Sequence, residues 1–478
     1  MKYSIISYIL GICLVGESIF LLLPLLVSFL YGEGTWYCYL IPAAASLALG
    51  FPLARKKPRG NFSPREGYVC VAVSWIIFSL VGAVPFVLTK DIPTYIDALF
   101  ETVSGFTTTG ASILADVETL THSGLFWRSF SHWIGGMGVF VFMVAFLPML
   151  GGSTMDLMRA ESPGPSVDRL VPHVRDTARL LYLIYLAITV MQTVLLLLSG
   201  MPLFEALCLT FGSVGTGGFG VTNDSCGGLT DTQQTIITVF MLLSGVNYSA
   251  YFLLLSRKWK EAFRMDEVRW YLAIILGSVA LITLNTKEIM GGGLRALHHA
   301  FFQVASIITT TGYSTLDYEI WPHLSKTVLL CLMFIGACAG STGGGIKVSR
   351  FLLLMKSFKK EIGILIHPRA VKVIRMDRNP VKHEVIRSTN VFISIYVVIF
   401  FLSLLLISLD DHDFTTNFTA VAATLNNIGP GFSMVGPSCN FGFFSVPSKI
   451  VLIFDMLAGR LELFPILLML TPETWKKN

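Results

Sequence analysis

Long apolar runs alternate with short polar breaks along the whole chain. A membrane-spanning helix needs about 20 mostly apolar residues. Runs of that order lie at 4–30, 36–54, 67–89, 125–150, 178–199, 233–256, 268–286, 325–355, 388–409 and 447–470. The first is interrupted only by Glu17 and is too long for the apolar core of a cleavable signal peptide, so it reads as a retained helix. Four shorter apolar runs, 98–108, 202–215, 296–310 and 415–427, cannot span, and each ends in a glycine-bearing polar loop. Such segments read as re-entrant half-helices, tolerated at membrane depth only where protein or a water-filled path surrounds the loop. The predicted unit is span, half-helix, loop, span. It occurs four times after two extra spans, giving ten spans.

The four loops are variants of one another. Thr107-Thr108-Thr109-Gly110 returns as Gly215-Thr216-Gly217-Gly218, as Thr309-Thr310-Thr311-Gly312 and as Asn426-Asn427-Ile428-Gly429. Matching Gly110, Gly217, Gly312 and Gly429 gives separations of 107, 95 and 117 residues. Loosely equal repeats predict quasi-equivalent units around an axis. The expected fold is an all-α polytopic membrane protein with pseudo-fourfold symmetry and two additional N-terminal helices. Its expected divisions are 1–66, then repeats at 67–158, 159–260, 261–387 and 388–478.

A loop lining a cation path turns its carbonyls inward to replace the ion's water. Glycine adopts the backbone angles this needs without steric penalty. Thr108, Thr109, Gly110, Thr216, Gly217, Gly218, Thr310, Thr311, Gly312, Asn427, Ile428 and Gly429 are the candidate lining residues. None of the four loops carries a carboxylate, which favours carbonyl dipoles and a large, easily dehydrated monovalent cation.

Composition agrees with a membrane protein: 53% of the 478 residues are hydrophobic, 14% charged, and the mean hydropathy is +0.68. A soluble domain carries roughly a quarter charged residues. The net charge of +5 is not a nucleic-acid signal, because the basic residues concentrate in linkers on one side. These are Arg55, Lys56, Lys57 and Arg59; Arg159, Arg169, Arg175 and Arg179; Arg257, Lys258, Lys260 and Arg264; and the stretch 347–387. That last stretch has eleven Lys or Arg against Glu361, Asp377 and Glu384, a net of +8. Basic linkers mark the cytoplasmic side, which would also hold both termini. The opposite face carries Asp91, Asp97, Asp116, Glu118, Asp224, Asp317, Glu319, Asp410, Asp411 and Asp413. These form either a cation-concentrating mouth or ordinary solvated loop charge. The eight cysteines form no CxxC pair. Cys226 and Cys439 follow two of the loops and either pair outside the membrane or stay free.

Gly215–Gly220 fits G-x-G-x-x-G, but it lies between a half-helix and an external loop rather than between a strand and a helix. Gly340-Ser341-Thr342-Gly343-Gly344-Gly345-Ile346-Lys347 fails as a phosphate loop because Ile346 separates the last glycine from Lys347. It breaks the overlong run 325–355 and is either a flexible flap across a pore or a site of close helix packing. Arg460 falls inside the last run. A charge at that depth costs on the order of 3 kcal/mol or more and faces the protein interior. It is either a fixed charge beside a pore or half of a buried ion pair with Glu101, Glu205 or another carboxylate. Glu101 and Glu205 suit helix starts, and His132–Gly138 suits tight packing. No H-E-x-x-H motif or nucleophile elbow occurs, so an enzyme is not expected.

Together these motifs resemble the Trk/Ktr/HKT superfamily of potassium transporters, and more closely its bacterial TrkH/TrkG branch. The matching stretches are the first three loops, Trp133–Gly138, Ala339–Lys347 and Gly459-Arg460-Leu461-Glu462. The resemblance implies K+ as the transported ion, with Rb+ tolerated, and uptake across the bacterial inner membrane. It implies that Gly110, Gly217, Gly312 and Gly429 are the filter glycines; sodium-preferring relatives have Ser in the first repeat. It assigns Gly340, Ser341, Thr342, Gly343, Gly344, Gly345 and Lys347 to an intramembrane gating loop and Arg460 to a pore-facing charge. It further implies a lipid-embedded homodimer on a cytosolic ring of regulatory subunits that bind NAD(H) or ATP. The nucleotide would then sit on the ring rather than on this chain, and the 347–387 linker would be its dock. The fourth loop departs most, with Asn426, Asn427 and Pro430. A coupled cation/proton symporter using the same pore is the alternative. A membrane enzyme or scaffold is the competing class.

Overall fold

The computed structural model describes residues 3–55, 64–146, 174–370 and 372–476. Lys56, Lys57, Arg59, Arg159 and Arg169 of the basic linkers, residues 147–150 of the fourth run and the boundary expected at 158 lie outside the described residues.

Among the described residues, six helices are long and apolar enough to cross a membrane: Tyr3–Leu30, Trp36–Arg55, Arg65–Thr89, Arg179–Leu198, Asp266–Thr286 and His383–Asp410. The first and third carry short interruptions at Leu21 and Ala83, just ahead of Pro24 and Pro85. A proline removes the hydrogen bond to the residue four positions back, so the helix loosens there. The two additional N-terminal helices pack backbone to backbone. A Cβ at Gly11 would lie 2.8 Å from the Gly50 carbonyl oxygen, closer than side chains allow.

The other four expected spans differ from single apolar helices, each for a local reason. His122–Phe146 is helical but carries Arg128, His132, Gly135, Gly136 and Gly138, because it faces protein. The run 233–256 breaks into Asp231–Ser244 and Tyr248–Leu255, bent by 91°. The Gly245 carbonyl accepts from Cys338 N at 3.0 Å and the Tyr248 N–H donates to Gly340 O at 3.1 Å. Another segment therefore takes up the hydrogen bonds an unbroken helix would have used. The run 325–355 becomes His323–Phe334, an irregular stretch, and Val348–Ile366. The run 447–470 divides into Val446–Arg460 and Phe464–Leu470, with Glu462 and Leu463 at φ 55° and 67°. Arg460 is thus the last residue of a helix and not mid-span. Pro465, which cannot donate to Leu461, explains the break.

Each of the four short runs is a helix ending in its loop: Tyr95–Phe106, Leu203–Val214, Gly293–Ile308 and Phe414–Leu425, of 12, 12, 16 and 12 residues. Their last turns are buried. The fourth is capped by Asp413, whose carboxylate accepts from Thr416 N at 3.0 Å and Thr416 Oγ1 at 2.5 Å. The Thr416 hydroxyl holds this carboxyl below the ordinary Asp range. The basic stretch 347–387 is half helix, followed by a hairpin pairing Arg375–Met376 with Asn379–Pro380.

Candidate ion pathway

The four loops share one hydrogen-bond register. In the first, the N–H groups of Thr108 and Thr109 donate back to Gly105 O at 3.1 Å and Ser104 O at 2.9 Å. Thr216 and Gly217 repeat this onto Ser213 and Gly212, Thr310 and Thr311 onto Ile307 and Ser306, and Asn427 and Ile428 onto Thr424 and Ala423. This aligns Thr108, Thr216, Thr310 and Asn427, at φ 54°, 56°, 57° and 55°. It also aligns Gly110, Gly218, Gly312 and Gly429, at φ 80°, 80°, 88° and 97°. Left-handed angles at threonine are uncommon and strained, so their recurrence marks a built feature.

The register corrects one expectation. The second-repeat counterpart of Gly110 is Gly218, not Gly217, and the spacings become 108, 94 and 117 residues. Gly217 occupies the place of Thr109, Thr311 and Ile428. It is glycine because any Cβ there would run into the His132 ring.

The aligned glycines also close a cycle. A Cβ at Gly110 would overlap the Gly217 carbonyl oxygen, one at Gly218 the Thr311 oxygen, and one at Gly312 the Ile428 oxygen. A Cβ at Gly429 would lie 2.7 Å from the Thr109 oxygen, returning to the first loop. Each glycine thus lets the next loop's carbonyl approach. No hydrogen bond from a described residue ends on the carbonyls of 108–110, 216–218, 310–312 or 427–429. Side chains brace the ring from behind. Thr107 and Thr109 hydroxyls bond at 2.7 Å, and those of Thr309 and Thr311 at 2.8 Å. In the divergent fourth loop, Asn427 Nδ2 donates to Thr109 Oγ1 at 3.0 Å and Met456 O at 2.8 Å, and Asn426 Nδ2 donates to Tyr396 Oη at 2.8 Å.

Sequence reasoning missed the tie between the first two loops. Glu101 lies mid-helix rather than at a helix start and accepts from Arg128 Nε at 2.8 Å, both side chains being buried. It also accepts from Ser112 Oγ at 2.9 Å and Ile113 N at 3.0 Å. The Arg128 guanidinium lies 3.9 Å from the Phe219 ring centroid and donates to Gly220 O at 3.2 Å. The available signal was an arginine inside an apolar run. His132 stands beside it. Its Nδ1 donates to Gly105 O at 2.8 Å, while its Nε2 accepts from Phe219 N at 3.2 Å. Arg128→Met leaves Glu101 buried without its cation, a loss of about 3–5 kcal/mol. The expected outcome is a clearly lowered unfolding temperature in detergent; an unchanged one contradicts this role.

The irregular stretch 335–347 contacts the surroundings of the second, third and fourth loops directly and is linked to the first repeat through Arg460. Gly344 N donates to Thr310 Oγ1 at 2.6 Å, and a Cβ at Gly344 would lie 2.7 Å from Asn426 O. Thr342 Oγ1 donates to Val214 O and Ser244 O, both at 3.2 Å. Arg460 donates from Nη1 to Thr342 O at 2.7 Å and from Nη2 to Gly135 O at 2.6 Å. Arg460 therefore bonds main-chain carbonyls, and Glu101 is paired with Arg128 instead. The Lys347 ammonium bonds the Gly343 and Gly344 carbonyls. Glu462 forms a buried ion pair with Arg350.

A family description reading cation transport protein, TrkH, matches residues 40–286 and 270–477. The chain belongs to the TrkH family. It is 39% identical, over the full length of both chains, to the Trk system potassium uptake protein TrkH of Salmonella typhimurium. It is 34% identical to the Trk system potassium uptake protein TrkG of Escherichia coli, covering 99% of this chain and 98% of that one. The crystal structure of the potassium transporter TrkH from Vibrio parahaemolyticus superposes with a TM-score of 0.89 at 33% identity, covering both chains fully. As a TrkH-family member the chain is a multi-pass membrane protein. Its Cys226 is buried and its Cys439 exposed, and they are unbridged.

Proposed function

We propose that this TrkH-family chain takes up K+ through the ring of carbonyls at 108–110, 216–218, 310–312 and 427–429. The observation that carries the reading is the closed cycle of four left-handed glycines, each abutting the next loop's carbonyl. Carbonyl oxygens that receive no hydrogen bond from the described residues suit an ion that exchanges its hydration shell for them. The relatives' names, full-length coverage and fold agree with K+ as cargo.

In this reading the stretch 340–347, with Arg460, is the gate. The stretch lies against residues of the second, third and fourth repeats, Arg460 joins it to Gly135 of the first, and Lys347 and Arg460 bring two cationic groups, so its displacement would open a path. The same reading sets the chain in the bacterial inner membrane with basic linkers and termini in the cytoplasm. It divides the chain at 66, 158, 260 and 387. It pairs two copies on a cytosolic nucleotide-binding ring docked at 347–387, with no nucleotide on the chain itself. Expression in a bacterial strain lacking its own K+ uptake systems tests the proposal. Growth restored at low external K+, with K+ accumulation, is expected; expression in the membrane without restored growth contradicts it.

A further inference from the structure

One carboxylate outside the ring holds the two ends of the gating stretch together. Glu267 lies in the first turn of Asp266–Thr286 and is buried. Its Oε1 accepts from Ala339 N at 2.7 Å and from Ser349 N at 3.1 Å. These two N–H groups bracket the glycine-rich stretch and the start of the helix Val348–Ile366. Its Oε2 accepts from Asn247 Nδ2 at 3.3 Å. Asn247 sits at the 91° break, between Gly245 and Tyr248, whose backbone groups bond Cys338 and Gly340. Glu267 thus joins loop entry, loop exit and helix break through one side chain.

The adjoining residue leads out to the basic face. Asp266 Oδ2 pairs with Lys356 Nζ at 2.7 Å, and Lys356 also donates to Arg375 O at 2.8 Å. Asp266 N donates to Asp377 Oδ1 at 2.7 Å, and Asp377 N returns to Asp266 Oδ2 at 3.3 Å. Asp377 and Arg378 form the hairpin turn, both at positive φ, as a tight two-residue hairpin needs. The hairpin at 375–380 is therefore fastened to the residue next to the clasp.

We propose that Glu267 is a positioning residue for the gate: it clasps both ends of the glycine-rich stretch, and through Asp266 and Lys356 it couples that stretch to the hairpin 375–380. Pulling on the hairpin would shift the start of Asp266–Thr286 and with it the acceptor for Ala339 and Ser349. This rests on 340–347 being the gate. A charged acceptor makes the clasp stronger than a neutral one.

Liposome flux of K+ and Na+ through four variants of the full chain tests it. Glu267→Ala is expected to raise K+ flux roughly tenfold, the effect of about one lost charge-assisted contact, with the K+/Na+ ratio unchanged. Glu267→Gln keeps an acceptor oxygen for both N–H groups and is expected to restore flux most of the way to that of the unsubstituted chain. In a chain already lacking 341–344, Glu267→Ala is expected to add nothing, which a general loss of packing would not reproduce. Lys356→Met, at a side chain about a third exposed, is expected to raise flux by a smaller factor. Unchanged flux in Glu267→Ala while the shortened chain conducts overturns the clasp. So does an equal added rise in the shortened background. Unchanged flux in Lys356→Met overturns the coupling to the hairpin. A shortened chain that conducts no better than the intact one overturns the gate reading instead.

Discussion

Gly110→Ser is expected to lower the K+ over Na+ permeability ratio roughly tenfold or more. Gly110 has φ +80°, and a Cβ there would overlap the Gly217 carbonyl oxygen and lie 3.6 Å from the Thr311 oxygen. A side chain at such an angle costs about 1–3 kcal/mol, and the Gly217 carbonyl must also retreat. A tenfold change in discrimination corresponds to about 1.4 kcal/mol, so the strain is large enough to abolish much of the selectivity. A widened ring suits a smaller, more strongly hydrated ion no worse than K+, which fixes the sign. Gly218→Ser is expected to behave alike, because Gly218 meets the Thr311 oxygen in the same way. Permeability ratios from reversal potentials check both. An unchanged ratio in Gly110→Ser would remove the first loop from the ion path.

Removing residues 341–344 is expected to raise K+ flux by roughly ten- to a hundredfold without altering the permeability ratio. The deletion removes the Arg460 bond to Thr342 O, the Thr342 bonds to Val214 and Ser244, and the Gly344 bond to Thr310. A hydrogen bond to a charged group contributes about 1.5–3 kcal/mol, and each 1.4 kcal/mol is a factor of ten in an equilibrium. Losing the Arg460 contact alone would therefore move a closed-to-open balance by that order. The ratio holds because the glycine cycle does not include 341–344. Tracer uptake into liposomes measures the flux; unchanged uptake would make this stretch a packing element.

The sequence made the repeat unit readable because burial rules differ between its parts. Spans must be long and apolar, while half-helices are short and end in polar loops, so Tyr95–Phe106 and its three counterparts stood out by length alone. The breaks did not. The bend at Gly245–Asn247 depends on backbone bonds to Cys338 and Gly340, nearly a hundred residues away, and leaves little local trace. The register of the second loop was misread because it offers two adjacent glycines with different reasons. Gly218 needs its left-handed angle, whereas Gly217 makes room for His132. Glu101 was visible as a buried acid, but its partner lies on another helix, and a linear reading could not join it to Arg128. The charges at 347–387 were legible as a basic linker, yet not as a helix and hairpin fastened to Asp266.

The most direct measurement is the permeability of the chain lacking 341–344 in liposomes to K+, Rb+, Na+ and Li+, with the gating stretch unable to mask the ring. Comparable K+ and Rb+ flux with Na+ and Li+ excluded is the predicted result. Equal passage of all four ions would contradict it, because the four glycine loops would then line no selective path.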